Sequence, residues 1–270
     1  MNIEQALATG HMTQLMHSHY LVLGDNVEIG QRNQSRQTHG GRVDFPFVMK
    51  LISIIFTNID LNHLLNFTIV EPGSGDGTFS LTIWSICHYI FQSTPRIFAI
   101  EIDHARHAAS QLWLQHHITN CLSLNASRYT PRLLCDDFCR PTNPTISRIF
   151  ANHRKVISFV NNACGCLHGD PTNSPQHILE TQLDECMNGS IVVTMDTFFC
   201  MQKNWKEEIF SIPIVHSDIS WLSQRRPDKP GRMIVFKYTK MPSSQYSGTG
   251  NRPRYHTSNV VYLNEFSIGF

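Results

Sequence analysis

The chain is short of net charge, of long apolar runs and of patterned cysteine, and each shortage excludes something. Its 22 Lys and Arg against 21 Asp and Glu leave a net charge of +1, so no bulk electrostatic attraction draws it onto nucleic acid, and any such contact must rest on local patches. Apolar stretches break well before the roughly eighteen residues that a membrane-spanning helix needs, and no secretory signal opens the sequence, so an intracellular protein with no membrane contact is expected. The eight cysteines, at positions 87, 121, 135, 139, 164, 166, 186 and 200, show no repeated pair at zinc-ribbon spacing and mostly sit in apolar runs. They are expected to be reduced, buried thiols with no bound metal, although Cys135-x-x-x-Cys139 and Cys164-x-Cys166 have spacings that a metal site can use. No internal repeat is visible.

What is present suits one enzyme-sized α/β domain: 270 residues, 41% hydrophobic and 16% charged, can bury a full core. Short apolar runs alternate with helix-length amphipathic stretches. Strands are expected at Phe67–Val70, Ile97–Glu101, Leu133–Cys135, Lys155–Asn162 and Gly189–Thr194, with helices after Asp44, over Phe79–Ile90, His104–His117 and Ile178–Met187. In the first helix Val48, Leu51, Ile52, Ile55 and Ile59 recur at helical spacing, and in the third Ala108, Leu112 and Trp113 are expected to face inward. This alternation predicts a doubly wound, mostly parallel sheet. Asp218–Trp221 and Met233–Tyr238, joined by a Pro-rich basic loop, suit an antiparallel hairpin at its edge. Residues 1–43 read as an N-terminal segment with a polar, lid-like loop over 31–41; 44–241 read as the main domain, and 242–270 as a C-terminal loop and strand completing it.

The most informative segment is Glu71-Pro72-Gly73-Ser74-Gly75-Asp76-Gly77-Thr78. A buried strand ends in an acid and opens into three alternating glycines before a helix, the context in which backbone N–H groups meet an anionic or carboxylate-bearing ligand. A dinucleotide site wants G-x-G-x-x-G, with a third glycine packing helix on strand; here the spacing is G-x-G-x-G. An acid at the strand end suits the ammonium of a cationic sulfonium amino acid, whose own carboxylate faces backbone donors. The pattern therefore points to S-adenosyl-L-methionine; the plain alternative is an ordinary glycine turn.

Ligands of such sheets bind at the carboxyl ends of the strands, where Glu71, Glu101, Asp137 and Asn161 are expected. Glu101 closes the second strand and suits ribose hydroxyls, while Asp103 reads as a helix cap. Asp137 can accept from an adenine amino group and Phe138 can cover the ring, or the pair is a strand end with a core phenylalanine. After the fourth strand stands Asn161-Asn162-Ala163-Cys164-Gly165-Cys166, without the Pro-Pro-Tyr or Pro-Pro-Phe that holds a weakly nucleophilic amide or adenine amine, and without the proline motif that accompanies a cysteine nucleophile.

At these residues a family resemblance appears. Val156 to Gly165 resembles the V-I-F-V-N-N-F-A-F-G signature of the DOT-type histone lysine methyltransferases, the non-SET enzymes acting on a core-domain lysine of histone H3. Further blocks follow in order: Glu71 to Gly77 is similar to D-L-G-S-G-V-G, Ala99-Ile100-Glu101 to G-V-E, Asp137-Phe138 to G-D-F, Gly189 to Val192 to G-G-R-I-V, and Ile219-Ser220-Trp221 to V-S-W. The resemblance runs from about Asp44 to about Tyr238 and implies a class I methyltransferase fold. It implies that Glu71, Pro72, Gly73, Ser74, Gly75, Asp76, Gly77 and Thr78 cradle the methionine part of the cofactor, that Glu101 binds ribose, and that Asp137 and Phe138 hold adenine. Asn161 would sit by the transferable methyl and Trp221 would line the lysine channel. It also implies a nuclear enzyme acting on histone H3 in nucleosomes. The local basic clusters Arg225, Arg226, Lys229 and Arg232, and then Arg252 and Arg254, are candidate contacts with DNA or acidic histone surface, or else solvated loops. The sequence departs from the family at His39-Gly40-Gly41-Arg42, where the lid motif Y-G-E-T is degraded, at Cys164 and Cys166, and at Thr194 to Phe198. An RNA or other protein methyltransferase, or a catalytically silent scaffold of the same fold, is the alternative expectation; a nicotinamide oxidoreductase is the weakest.

Overall fold

The computed structural model describes residues 45–56, 65–91, 94–121, 130–151, 155–160, 175–194, 204–213, 232–242 and 260–262. In chain order these form α1 (Phe45–Phe56), β1 (Phe67–Pro72), α2 (Thr78–Phe91), β2 (Arg96–Glu101), α3 (His104–Cys121), β3 (Arg132–Cys135), α4 (Pro144–Ala151), β4 (Lys155–Val160), α5 (Pro175–Asp184), β5 (Ile191–Thr194), β6 (Trp205–Pro213), β7 (Arg232–Lys240) and β8 (Val260–Tyr262).

The eight strands make one sheet in the order β3-β2-β1-β4-β5-β7-β6-β8. Strands β1 to β5 run parallel, β7 is antiparallel to both β5 and β6, and β8 joins β6 in parallel. The chain moves outward from β1 to β3 and then returns to place β4 on the other side of β1. The gap above β1 and β4 is therefore the point where strand order reverses and where such sheets open a ligand crevice.

Period-two alternation sorts the strand residues onto two faces. One face carries Val70, Phe98, Ile100, Val156, Val160, Val192, Phe236 and Tyr238, packed with Ile146, Ile149 and Phe150 of α4 and Leu179 and Leu183 of α5. On the other face Phe159 meets Phe79 of α2, with ring centroids 4.2 Å apart, and Leu51, Ile52 and Ile55 of α1 are fully buried. Central strand β1 is buried along its whole length, as expected of a parallel strand covered on both faces. Lys237 of β7 is also buried and donates Nζ–H to the carbonyl of Ile54, 3.1 Å away, which ties α1 to the sheet. At the far end of α5, Trp205 donates Nε1–H to Asp184 Oδ1, and the Lys240 ammonium bonds the Asp184 carbonyl; a cation there complements the helix C-terminus.

Three expectations change. The partner of β7 is Trp205–Pro213, paired with it over nine residues, and not Asp218–Trp221, which lies outside the described residues. The stretch Lys206-Glu207-Glu208 hides this strand because two of those side chains point to solvent. In α3 Trp113 is buried, but Ala108 is exposed and Leu112 is 57% exposed, since the helix turns the opposite flank to the sheet. Helix α4 was not anticipated between β3 and β4; its Ile146, Ile149 and Phe150, at i, i+3 and i+4 spacing, are all buried. Asp44, Ile59 and the lid-like loop over 31–41 lie outside the described residues.

Among the described residues, no helix is long and apolar enough to cross a membrane. No group of three or more His, Cys, Asp or Glu among them is placed to hold a metal ion. Cys87 and Cys186 are buried free thiols, and burial raises both; Cys186 is pushed up to about 12.

Candidate functional site

The loop between β1 and α2 is a set of left-handed turns. Gly73, Gly75 and Gly77 have φ of 67°, 58° and 78°, values that side-chain-bearing residues adopt only at a cost. The glycines have different jobs. A Cβ built on Gly77 would stand 3.1 Å from Ser110 Cβ and 3.3 Å from Leu81 Cδ1, so this glycine lets α3 close against α2. A Cβ on Gly75 would meet nothing within 4 Å: its bareness faces open space at the sheet's carboxyl edge.

Two carboxylates hold this loop. Glu101, at the end of β2, accepts the Gly75 N–H on Oε2 at 2.6 Å and the Asp103 N–H on Oε1 at 2.8 Å. The Ser74 N–H reaches the Ile100 carbonyl at 2.9 Å. The glycine bend is thus stitched to the second strand. Burial raises the Glu101 carboxyl above its usual range, against the amides of Asp103 and Gly75 and the Arg106 charge, which favour ionisation. A carboxylate offers about four acceptor positions, so two amides leave room for hydroxyl donors. Glu101→Gln places an amide group against one of these N–H donors. A stability loss of about 1 to 3 kcal/mol is expected, read from the denaturant midpoint.

Glu71, at the end of β1, is 3% exposed. Its Oε2 accepts both the N–H and the hydroxyl of Ser80, at 3.0 and 2.6 Å. Oε1 takes no hydrogen bond from a described residue. Burial dominates here, and the carboxyl is pushed up to about 8 despite Ser80, with Asp76 and Glu101 adding to the rise. The sequence pattern suggests this acid for a ligand ammonium; in the structure it also clamps the first turn of α2, with one oxygen left over. Ser80 was the residue missed. Its signal was a hydroxyl in the first turn of the helix following an acid-ended strand.

Beyond β3, Asp136 organises the loop to α4. It accepts the N–H groups of Asp137, Thr142 and Asn143 at 2.8, 2.9 and 2.7 Å. Burial is the largest single influence and opposes its charge, but these donors with the Thr142 hydroxyl together outweigh it, holding the carboxyl below the usual range. Asp137 accepts the Cys139 N–H at 2.8 Å. Phe138 is half-buried, packs against the core and accepts a long 3.5 Å bond from Gln182 at its carbonyl. Asp103 caps α3, accepting the N–H groups of Ala105 and Arg106, as its position suggested. Cys135 Sγ lies 3.2 Å from His104 Nδ1 on the same rim, a contact with no sequence signal because 31 residues separate the pair.

The structure therefore gathers Glu71, the glycine bend, Glu101 and the Asp137–Phe138 loop at the carboxyl edge of β1, β2 and β3. Asn161 and Trp221 lie outside the described residues, as do Cys164, Cys166, Arg225, Arg226 and Lys229. Arg232 is the first residue of β7 and donates from Nε and Nη2 to the hydroxyl and carbonyl of Ser211, both at 2.8 Å.

No protein-family model matches the sequence, and no curated protein matches it. Solved structures do. A Listeria monocytogenes protein described as a class I S-adenosylmethionine-dependent methyltransferase aligns with a TM-score of 0.51 at 10% identity, over 100% of this chain and 77% of that one. A Geobacter sulfurreducens methyltransferase aligns at 0.46 and 14% identity, over 82% and 89%. The magnesium protoporphyrin IX methyltransferase of Synechocystis, solved with bound S-adenosylmethionine, aligns at 0.41 and 11%, over 83% and 97%. The Listeria likeness shows the class I methyltransferase fold; identity this low says nothing about the acceptor.

Proposed function

We propose that this chain is an S-adenosylmethionine-dependent methyltransferase acting on the side-chain amine of a core-domain lysine of histone H3 in nucleosomes. One observation carries the cofactor half. At the point where strand order reverses, Gly75 borders open space while its amide is held by the Glu101 carboxylate. A bare, left-handed turn flanked by two acids fits a ligand with an ammonium, a carboxylate and ribose hydroxyls. Glu71 through Thr78 would hold its methionine part, Glu101 its ribose, and Asp137 and Phe138 its adenine. When bound, the cofactor supplies a methyl group activated on a sulfonium.

The acceptor half rests on the double asparagine after β4 and the matching order of the other blocks. Asn161 would position the lysine and Trp221 would enclose it. A lysine must arrive neutral, and a desolvated channel lowers its pKa by burial, as does a nearby cation by repulsion. No dedicated base is required, because alignment supplies most of the rate. Nuclear residence and the basic segment Arg225, Arg226, Lys229 and Arg232 as a nucleosome contact belong to the same proposal.

The test uses purified protein, methyl-labelled cofactor and three acceptors: nucleosomes, free histones and RNA. Label on a histone H3 lysine in nucleosomes is expected, with Asn161→Ala slowing transfer by about a hundredfold. Label on RNA or on another protein overturns the acceptor assignment alone. Calorimetry showing no binding of S-adenosylmethionine or its demethylated product overturns the cofactor assignment as well.

A further inference from the structure

At the opposite edge of the sheet a cavity of about 230 Å³ is lined by Thr68, Arg96, Phe98, Arg132, Thr145, Arg148 and Ile149. Strand register explains the grouping. Thr68 of β1 stands beside Arg96 of β2, and Phe98 of β2 beside Arg132 of β3. Alternation puts these four on the face that α4 covers. Helix α4 adds Thr145, Arg148 and Ile149, at i, i+3 and i+4. Three arginines thus line one cavity whose lining contains no carboxylate.

Among the described residues none of the three arginines forms an ion pair. Arg132 instead lies over the Phe98 ring, its guanidinium carbon 5.8 Å from the centroid; that contact orients it without neutralising it. Like charges gathered this way repel, and an anion relieves the repulsion. Guanidinium forks and threonine hydroxyls match the oxygens of a phosphate group. The volume falls below the roughly 300 Å³ where sites for drug-sized ligands begin, so it suits a phosphate with a small appendage. The site also lies about 17 Å along β1 from the glycine bend.

The geometry points to a phosphomonoester-binding site here, separate from the pocket at the carboxyl edge. Its ligand is a small phosphomonoester, presented either as a free sugar phosphate or as the phosphorylated end of an oligonucleotide.

Calorimetric titration of the full chain with ribose 5-phosphate and with ribose tests this. Ribose 5-phosphate is expected to bind, ribose to show no heat, and raised salt to weaken the binding. Arg148→Gln and Arg96→Gln each replace an exposed side chain, and each is expected to weaken ribose 5-phosphate binding about tenfold or more. Neither should change S-adenosylmethionine binding or the melting temperature. A 5′-phosphorylated oligonucleotide and its unphosphorylated twin decide the source. A phosphate-dependent preference lost in the same variants assigns the site to a chain end, and binding of the sugar phosphate alone assigns it to the free metabolite. The proposal is overturned if ribose binds as well as its phosphate, if both arginine variants bind like wild type, or if neither phosphate compound binds.

Discussion

Gly75→Val is expected to weaken cofactor binding about a hundredfold or more while barely disturbing the fold, whereas Gly77→Val is expected to lower the stability of the domain itself. The two glycines are two residues apart, share a left-handed backbone and differ only in what surrounds them. At Gly75 a side chain enters open space, so the fold bears only the cost of φ +58°, about 1 to 2 kcal/mol. The ligand loses the volume it would occupy, and its affinity should drop by about a hundredfold or more, some 2.7 kcal/mol. At Gly77 even the first carbon of a side chain would stand only 3.1 Å from Ser110 Cβ and 3.3 Å from Leu81 Cδ1, so the neighbours must give way. Overpacking adds about 1 to 3 kcal/mol to the backbone cost, a large share of the roughly 5 to 15 kcal/mol that holds a domain together. Calorimetric titration and thermal melting of both variants check this. Equal cofactor affinity for Gly75→Val and wild type would sink the loop assignment.

Stability should fall as pH rises from about 4.5 to about 8, and Glu71→Gln should remove most of that slope. The Glu71 carboxyl has its pKa raised from 4.5 to about 8 by burial. The folded state therefore binds a proton that the unfolded state has already released across this window, and linkage makes folding less favourable with increasing pH. The stabilising effect of the neutral acid is present in full below about 4.5 and is gone above about 8. Glutamine is neutral throughout and can still accept from Ser80, so at pH 8 the variant should be more stable than wild type by on the order of 4 kcal/mol. Glu101, also raised by burial, leaves a smaller slope of the same sign. Urea midpoints of both proteins at pH 5, 6, 7 and 8 test this, and parallel curves would refute it. An ammonium brought near Oε1 favours the ionised acid, so cofactor binding near pH 7 should release a proton. Binding heats in buffers of different ionisation enthalpy would show it.

Much of the architecture was legible because central parallel strands are buried on both faces and so read as apolar runs. Phe67–Val70, Ile97–Glu101 and Lys155–Val160 stand out in this way, each followed by a helical stretch. Strand β6 did not, since near a sheet edge its Lys206 and Glu207 face solvent and break the apolar signal. Helix α4 was obscured by its length of eight residues and by the Asp136-Asp137 loop before it. In α3 the error with Leu112 arose because the helix carries apolar residues on more than one flank, and only packing decides which flank is covered. For the site, the glycine bend and the two strand-end acids were readable from spacing, but not the partners they take.

The order of residues alone fixed that an acid-ended strand opens into a glycine bend before a helix, since local backbone freedom and apolar periodicity are properties of neighbouring residues. It also fixed that a second acid closes the next strand. Only the tertiary structure decided that Glu101 holds the Gly75 amide, that Glu71 is sealed against Ser80 and raised toward neutral pH, and that three arginines from two strands and a helix share one cavity. Those facts depend on strand register, helix packing and desolvation, which bring together residues from 9 to 26 positions apart around the bend and are set only once the chain has folded.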